Sequence, residues 1–462
     1  MRKRRLLANT LLLTLSSLLM NAVAMRFQAW LVERIGASGI GLYQLVLSVM
    51  GLVGTFAVSG IRFAATRLVA EELGLENRGG IGAAMGRCLA YGAFFGIAAG
   101  VILWELAAPL GFLWIRDART VSSLRIAAFS MPCVSLCAAI SGYFTACSRV
   151  WKPTLVHLAE QAAGIVLVMW FLKRAPQGDL EKSCAAVTMG RTAADLLSLA
   201  LMALVYLHDR RRHYSEGERG ARYGVRMLSI ALPLAVSAYA RSALSTLRHL
   251  LVPRGLKAAG YSADGALAGY GTIQGMVLPI LFFPACIMGA LSELMVPELT
   301  EAQVRGNRAE IRRTTARLLR ASALFSGAVG LFLFVFARPL GLAVYRSFEA
   351  GRYLRCLAPL VPVMYTDMAV DGCLKGLGEQ VWSMGVNILD ALTGLLLVWW
   401  LLPKFALAGY IGILYLTEGL NFTLSLWRLR RITRRRPEPD GGGASSRRPG
   451  GAGGKCACTA GR

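Results

Sequence analysis

Two arginines, Arg241 and Arg248, stand in an apolar run from Met227 to Pro253 that is long enough to cross a membrane. A guanidinium in such a span costs about 3 kcal/mol or more unless it reaches the headgroups, pairs with an acid or faces water. Seven residues make about two helical turns, so both arginines fall on one face. Ser237 and Ser245 lie near the same stripe, because steps of three and four residues share a helix face. Cations and hydroxyls on one stripe describe a polar interior that receives an anion. Arg241 is the more central and is the stronger substrate-binding candidate. Arg248, nearer the span end, is the second substrate-binding candidate, with anchoring at the headgroups as its alternative reading.

Other polar residues sit in apolar surroundings. In the first apolar run Thr14, Ser17, Asn21 and Gln28 line one helix face, and Arg26, a further substrate-binding candidate, lies off that stripe by about 120–140°. Asn21, Gln28, Gln44 and Gln274 offer amide partners for a polar substrate; plain hydrogen bonding between packed helices is the alternative reading. Asp367 and Asp371 are four residues apart on one face, and Glu160, Asp195, Asp390 and Glu418 also fall within spans. Intramembrane carboxylates relay ions or neutralise arginines. Asp367, Asp371 and Glu160 are the candidates for coupling to H+ or Na+. Ten cysteines and four histidines show no metal-ligand spacing, so no metal site and no cofactor is expected. No carboxylate pair reads as catalytic from its spacing.

The elements that must position these groups are membrane helices. Hydrophobic residues make up 55% of the chain and the mean hydropathy is +0.51, too apolar for an ordinary soluble protein. Apolar runs recur along nearly its whole length without strand-like alternation, which gives an all-α polytopic membrane protein and argues against a β-barrel. About twelve spans are expected, roughly 6–31, 39–61, 88–114, 125–147, 154–172, 184–207, 227–251, 267–291, 321–337, 356–374, 381–402 and 407–427. The formal charge of +25 does not point to nucleic acid, because the basic residues lie between apolar runs. Assigned to alternating sides, they concentrate on one side, which places both termini on the cytoplasmic side. The basic N-terminus leads into a first span rather than a cleaved signal. Residues 292–320 read as an amphipathic surface helix, and the Gly/Ser/Pro-rich tail from 431 reads as disordered.

The halves echo each other. Gly41-LYQLVLSVMGL and Gly271-TIQGMVLPILF align at a shift of about 230 residues, half the chain, setting Gln44 against Gln274. Six spans per half preserve orientation, so the repeats form two parallel lobes, 1–207 and 227–430, joined by a basic linker at 208–226. A V-shaped monomer with pseudo-twofold symmetry and a site between its lobes follows.

Gly39-IGLYQLV, Ser59-GIRFAATRLVAEE, Leu232-PLAVSAYARSALSTLRHLLVPRGL, Tyr270-GTIQGMVLPILFFP, Asp371-GCLKGLGEQ, Asn387-ILD and Glu418-GLNFTLSLWRL occur in order. Together they resemble the stage V sporulation protein B group of polysaccharide flippases, in the superfamily of the lipid II flippase and the multidrug/toxin extruders. The resemblance implies a transporter, not an enzyme, that exports a polyprenyl-pyrophosphate oligosaccharide or cell-wall precursor by alternating access. A drug/cation extruder of the same superfamily is the alternative within the class, and a membrane-embedded glycosyltransferase or ligase the alternative outside it. Arg62 stands where the family has proline, so a straighter helix end is expected there.

Overall fold

The computed structural model describes residues 2–75, 78–176, 178–213 and 223–434. The side chains of 2–18, Arg78, 211–213, Pro233, Leu234, Ser237, Glu293, Leu294, Pro297 and Arg434 lie outside that description. Of the tail read as disordered, 431–434 instead continue the last helix, and the rest lies outside the described residues. The described chain is helical throughout, without a strand.

In order run α1 (Arg2–Val58), α2 (Ile61–Gly74), α3 (Arg78–Pro109), α4 (Val121–Ala128), α5 (Met131–Ala146), α6 (Trp151–Arg174), α7 (Leu180–His213) and α8 (Tyr223–Ala258). The second half continues with α9 (Ala263–Gly271), a π-helical turn Thr272–Val277, α10 (Leu278–Phe282), α11 (Ala285–Val304), α12 (Arg308–Val335), α13 (Ala337–Tyr345), α14 (Phe348–Leu357), α15 (Val361–Gly376) and α16 (Gln380–Arg434). Among the described residues seven helical stretches are long and apolar enough to cross a membrane, eight if the bent pair α4–α5 is one span. Two of them, Leu19–Gly74 and Gln380–Thr433, are 56 and 54 residues long, about twice what a bilayer needs. The first bends at Gly36 (φ 70), a conformation glycine adopts freely. The second bends at Ala406 (φ 51), three residues past Pro403.

The α1–α2 junction is not straightened by Arg62. Ser59 (φ 43) and Gly60 (φ 72) both turn left-handed there. The turn is imposed by packing: a Cβ on Gly60 would lie 2.6 Å from the Ala231 carbonyl oxygen, and the Ser59 hydroxyl shares hydrogen bonds with Tyr91 (3.0 Å) and Tyr239 (2.5 Å). Residues 292–320 also differ from expectation. They are not a separate surface helix but the ends of α11 and α12, hinged at Gly306 (φ 67). The Asn307 side chain accepts from the Glu310 N–H at 3.1 Å and so starts α12.

The sequence echo has a structural counterpart at the same offset. Arg116 (φ 57) and Arg346 (φ 51) each turn left-handed at a helix end, and the next N–H bonds back to the carbonyl of Gly111 (2.9 Å) or Gly341 (3.2 Å). Ser148 and Gly378 form a second such pair, followed by N–H bonds from Arg149 to Phe144 and from Glu379 to Leu374, both 2.9 Å. Gly100 faces the Ala128 carbonyl as Gly330 faces that of Ala358.

The halves interlock where α1 meets α9. A Cβ on Gly41 would fall 2.0 Å from the Leu267 carbonyl oxygen, and one on Gly271 would fall 2.3 Å from that of Ala37. Only glycine permits so close an approach of two backbones.

Candidate substrate cavity and the charged clusters around it

Beside this interlock α1, α8 and the stretch from α9 into the π-turn enclose a polar cavity of about 300 Å³. Gln44 and Ser48 line it from one half, and Ser242, Ser245, Thr246, His249, Tyr270 and Gln274 from the other. The Thr246 hydroxyl donates to the Ser48 carbonyl at 2.9 Å, tying α8 to α1. Gln274 donates from Nε2 to the Tyr410 hydroxyl at 2.5 Å, and Tyr270 meets His249 Nδ1 at 3.1 Å. Spaced by three and four residues, Ser242, Ser245, Thr246 and His249 form one face of α8. The lining offers amides, hydroxyls and an imidazole and, among the described residues, no aspartate, glutamate, lysine or arginine.

The two glutamines matched by the repeat therefore share one cavity. The arginines do not enter it. Arg241 is exposed, one turn from Ser245. Arg248 is only 26% exposed, lies 3.8 Å from Asp390 and crosses Gly394, where a Cβ would come within 3.1 Å of its guanidinium. A nearby carboxylate and a gap left by glycine let it pair inside its own half. Asn21 is exposed, and Gln28 donates to the Gly275 carbonyl in the π-turn at 3.1 Å. Arg26 lies in a different cavity, with Glu33 and Arg346. The side chain of Ser237 is outside the described residues.

The candidate coupling residues fall into two clusters. In the first half, Glu160 is held by Arg191 (3.0 Å) and Ser198 (2.8 Å), with His157 at 3.6 Å. Arg191 also approaches Asp195 at 3.7 Å, and the whole group lines a cavity of about 460 Å³. In the second half, Asp371 pairs with Lys375 at 2.5 Å and accepts from Ser383. Asp367, one turn earlier, is buried, and its Oδ1 has no partner, as is true of Asp390 Oδ1.

His157, Arg191 and Tyr410 are members of these sites that sequence reasoning passed over. The three-residue step from His157 to Glu160 was the available signal. Nothing local announces Arg191 or Tyr410, which arrive on other helices.

An all-helical chain with repeated halves, several membrane-length helices and a polar cavity between the halves is a multi-pass membrane protein with a transporter fold. Solved structures bear this out: the lipid II flippase MurJ in an inward closed conformation superposes at TM-score 0.69, with 11% identity over 91% of this chain and 87% of that one. An inward-facing multidrug resistance MATE family transporter gives 0.66, with 15% identity over 89% and 95%. The chain belongs to the polysaccharide biosynthesis protein family, whose model matches residues 6–291. The MatE family model matches 257–400. Stage V sporulation protein B of Bacillus subtilis (strain 168) is 22% identical over 416 residues, 88% of this chain and 80% of that protein.

Proposed function

We propose that this transporter moves a lipid-linked saccharide, a polyprenyl-pyrophosphate oligosaccharide or cell-wall precursor, across a bacterial plasma membrane by alternating access. The observation that carries the reading is the cavity in which Gln44 and Gln274 converge from the two halves. Amides and hydroxyls without a surplus of charge suit sugar hydroxyls, which both donate and accept. Arg241, exposed and one turn from the cavity wall, meets the pyrophosphate at its rim. Two lobes, 1–207 and 227–430, rock about the Gly41–Gly271 interlock, in a monomer with both termini in the cytoplasm. Coupling to H+ or Na+ runs through Glu160 in the first lobe or through one acid of the Asp367/Asp371 pair in the second. The relationship to stage V sporulation protein B and the fold shared with MurJ support the substrate class.

The experiment is translocation of a fluorescent lipid-linked disaccharide in proteoliposomes. Gln274→Ala at equal protein level is expected to lower the rate about tenfold, the loss of one or two sugar hydrogen bonds. Undiminished translocation of the sugar lipid, or translocation of an organic cation instead, overturns the reading.

A further inference from the structure

The cavity between Gln44 and Gln274 differs from its neighbours in what it leaves out. Charged side chains line two other cavities, Arg26, Glu33 and Arg346 in one and Glu160, Arg191 and Asp195 in the other. The second of these shares Leu47 and Gly51 with the glutamine cavity. Yet on the glutamine side of that shared wall, among the described residues, no acid, lysine or arginine lines the space. Arg248, one residue before His249 on α8, turns instead to Asp390 at 3.8 Å.

Hydrogen-bond chemistry narrows the ligand further. The Ser48 hydroxyl gives its proton to the Leu45 carbonyl at 2.8 Å, Ser242 to that of Gly51 at 3.4 Å and Thr246 to that of Ser48 at 2.9 Å. Each of these oxygens then offers lone pairs only, so the wall calls for donors on the ligand. Gln44 has no partner among the described residues and presents both a donor and an acceptor. Gln274 has committed one amide hydrogen to Tyr410 and keeps its other groups. A sugar hydroxyl answers both needs, because it donates and accepts. A carboxylate only accepts. Seated here it would face acceptor oxygens with no cation to compensate it, and a charge enclosed in that way is costly.

We infer, on the saccharide reading proposed for this site, that the cavity selects an uncharged sugar and rejects a sugar acid. Gln44 and Gln274 are its specificity-determining residues, one from each half. At about 300 Å³ the cavity is at the small end of ligand pockets, so it seats part of an oligosaccharide and not a whole one. With Arg241 at the rim for the pyrophosphate, the unit it selects is the sugar next to the phosphates. Charge on more distant units lies outside its reach.

Proteoliposomes holding the full chain test this with two fluorescent polyprenyl-pyrophosphate lipids, one carrying glucose and the other glucuronic acid. The two differ only in a hydroxymethyl group against a carboxylate. At neutral pH the glucosyl lipid is expected to move about tenfold faster or more, since a charged group left unmatched costs at least as much as one hydrogen bond. Gln44→Arg and Gln274→Arg each place a guanidinium in the cavity, from opposite halves. Either one is expected to raise the glucuronyl rate and lower the glucosyl rate, a gain that misfolding cannot imitate. Equal wild-type rates for the two lipids overturn the inference alone, since a saccharide is then still carried. So does a preference for glucose that both arginine variants leave unchanged, because the discrimination then arises elsewhere. Movement of neither lipid overturns the saccharide reading itself, and the inference with it.

Discussion

Arg191 on α7 reaches Glu160 on α6 at 3.0 Å while its Nε stays 3.7 Å from Asp195, so one guanidinium holds two carboxylates. Arg191→Gln leaves both acids half-sheltered and uncompensated. The variant is expected to lose about 2 kcal/mol of stability, read as a lower thermal midpoint in detergent. The double variant Arg191→Gln/Glu160→Gln should recover part of that loss, since it removes the orphaned charge as well. If the double variant is less stable by the sum of the singles, the two residues are not coupled.

The glycine interlock makes a sharper structural claim. A Cβ at Gly41 would sit 2.0 Å from a backbone oxygen of the other half, whereas one at Gly51 meets nothing within 4 Å. Gly41→Ala should therefore separate the halves, costing about 1–3 kcal/mol and most of the transport rate. Gly51→Ala, further along α1 in the cavity wall, should fold normally. Thermal midpoints and proteoliposome rates for the pair, measured side by side, check this.

Much of this is legible in the sequence. Helical spans, the half-chain repeat and the pairing of Gln44 with Gln274 follow from periodicity and from an offset that the turns at Arg116 and Arg346 also keep. Periodicity names the face a residue occupies but not what another helix brings to that face. Hence Arg241 and Arg248 read as one cationic stripe, yet Arg248 pairs with Asp390 on α16 while Arg241 stays exposed. Arg26 and Gln44 both read as substrate contacts, yet the bend at Gly36 sends them to different cavities. The turn at Ser59–Gly60 is not legible locally for a related reason. Arg62 in place of proline is a local feature, whereas the contact with Ala231 that imposes the turn is tertiary and leaves no mark in the local sequence.

The halves are also tied near the Gly36 bend. Arg119, after α3, binds Asp117 in its own half and Asp264 in the other, both at 2.8 Å. Arg254 on α8 donates to the carbonyls of Leu113, at 2.5 Å, and Trp114. Asp264 is exposed, so its pair with Arg119 is worth about 1 kcal/mol at most and weakens with salt. Arg254 is worth more, because its two carbonyl acceptors sit at a helix end with few other donors. Arg254→Ala should raise the labelling of a cysteine placed at Ser245 by a membrane-impermeant reagent added from that side. Arg119→Ala should raise it less, and high salt should abolish the difference from wild type only for Arg119.

Asp371 offers the most direct test of coupling. Lys375 and Ser383 hold both of its oxygens, whereas the neighbouring Asp367 keeps one oxygen unpartnered in a buried position. A carboxylate already neutralised by a lysine has little left to offer an ion, but an orphaned buried one must take up a proton or a cation. Asp367→Asn should therefore abolish the dependence of transport on an imposed proton or sodium gradient while leaving downhill exchange intact. Asp371→Asn should lower the thermal midpoint by removing the partner of Lys375 and leave the gradient dependence in place. The reverse pattern in gradient-driven proteoliposomes would transfer the coupling role from Asp367 to Asp371. A gradient dependence unchanged in both would move it to the Glu160 cluster of the first half.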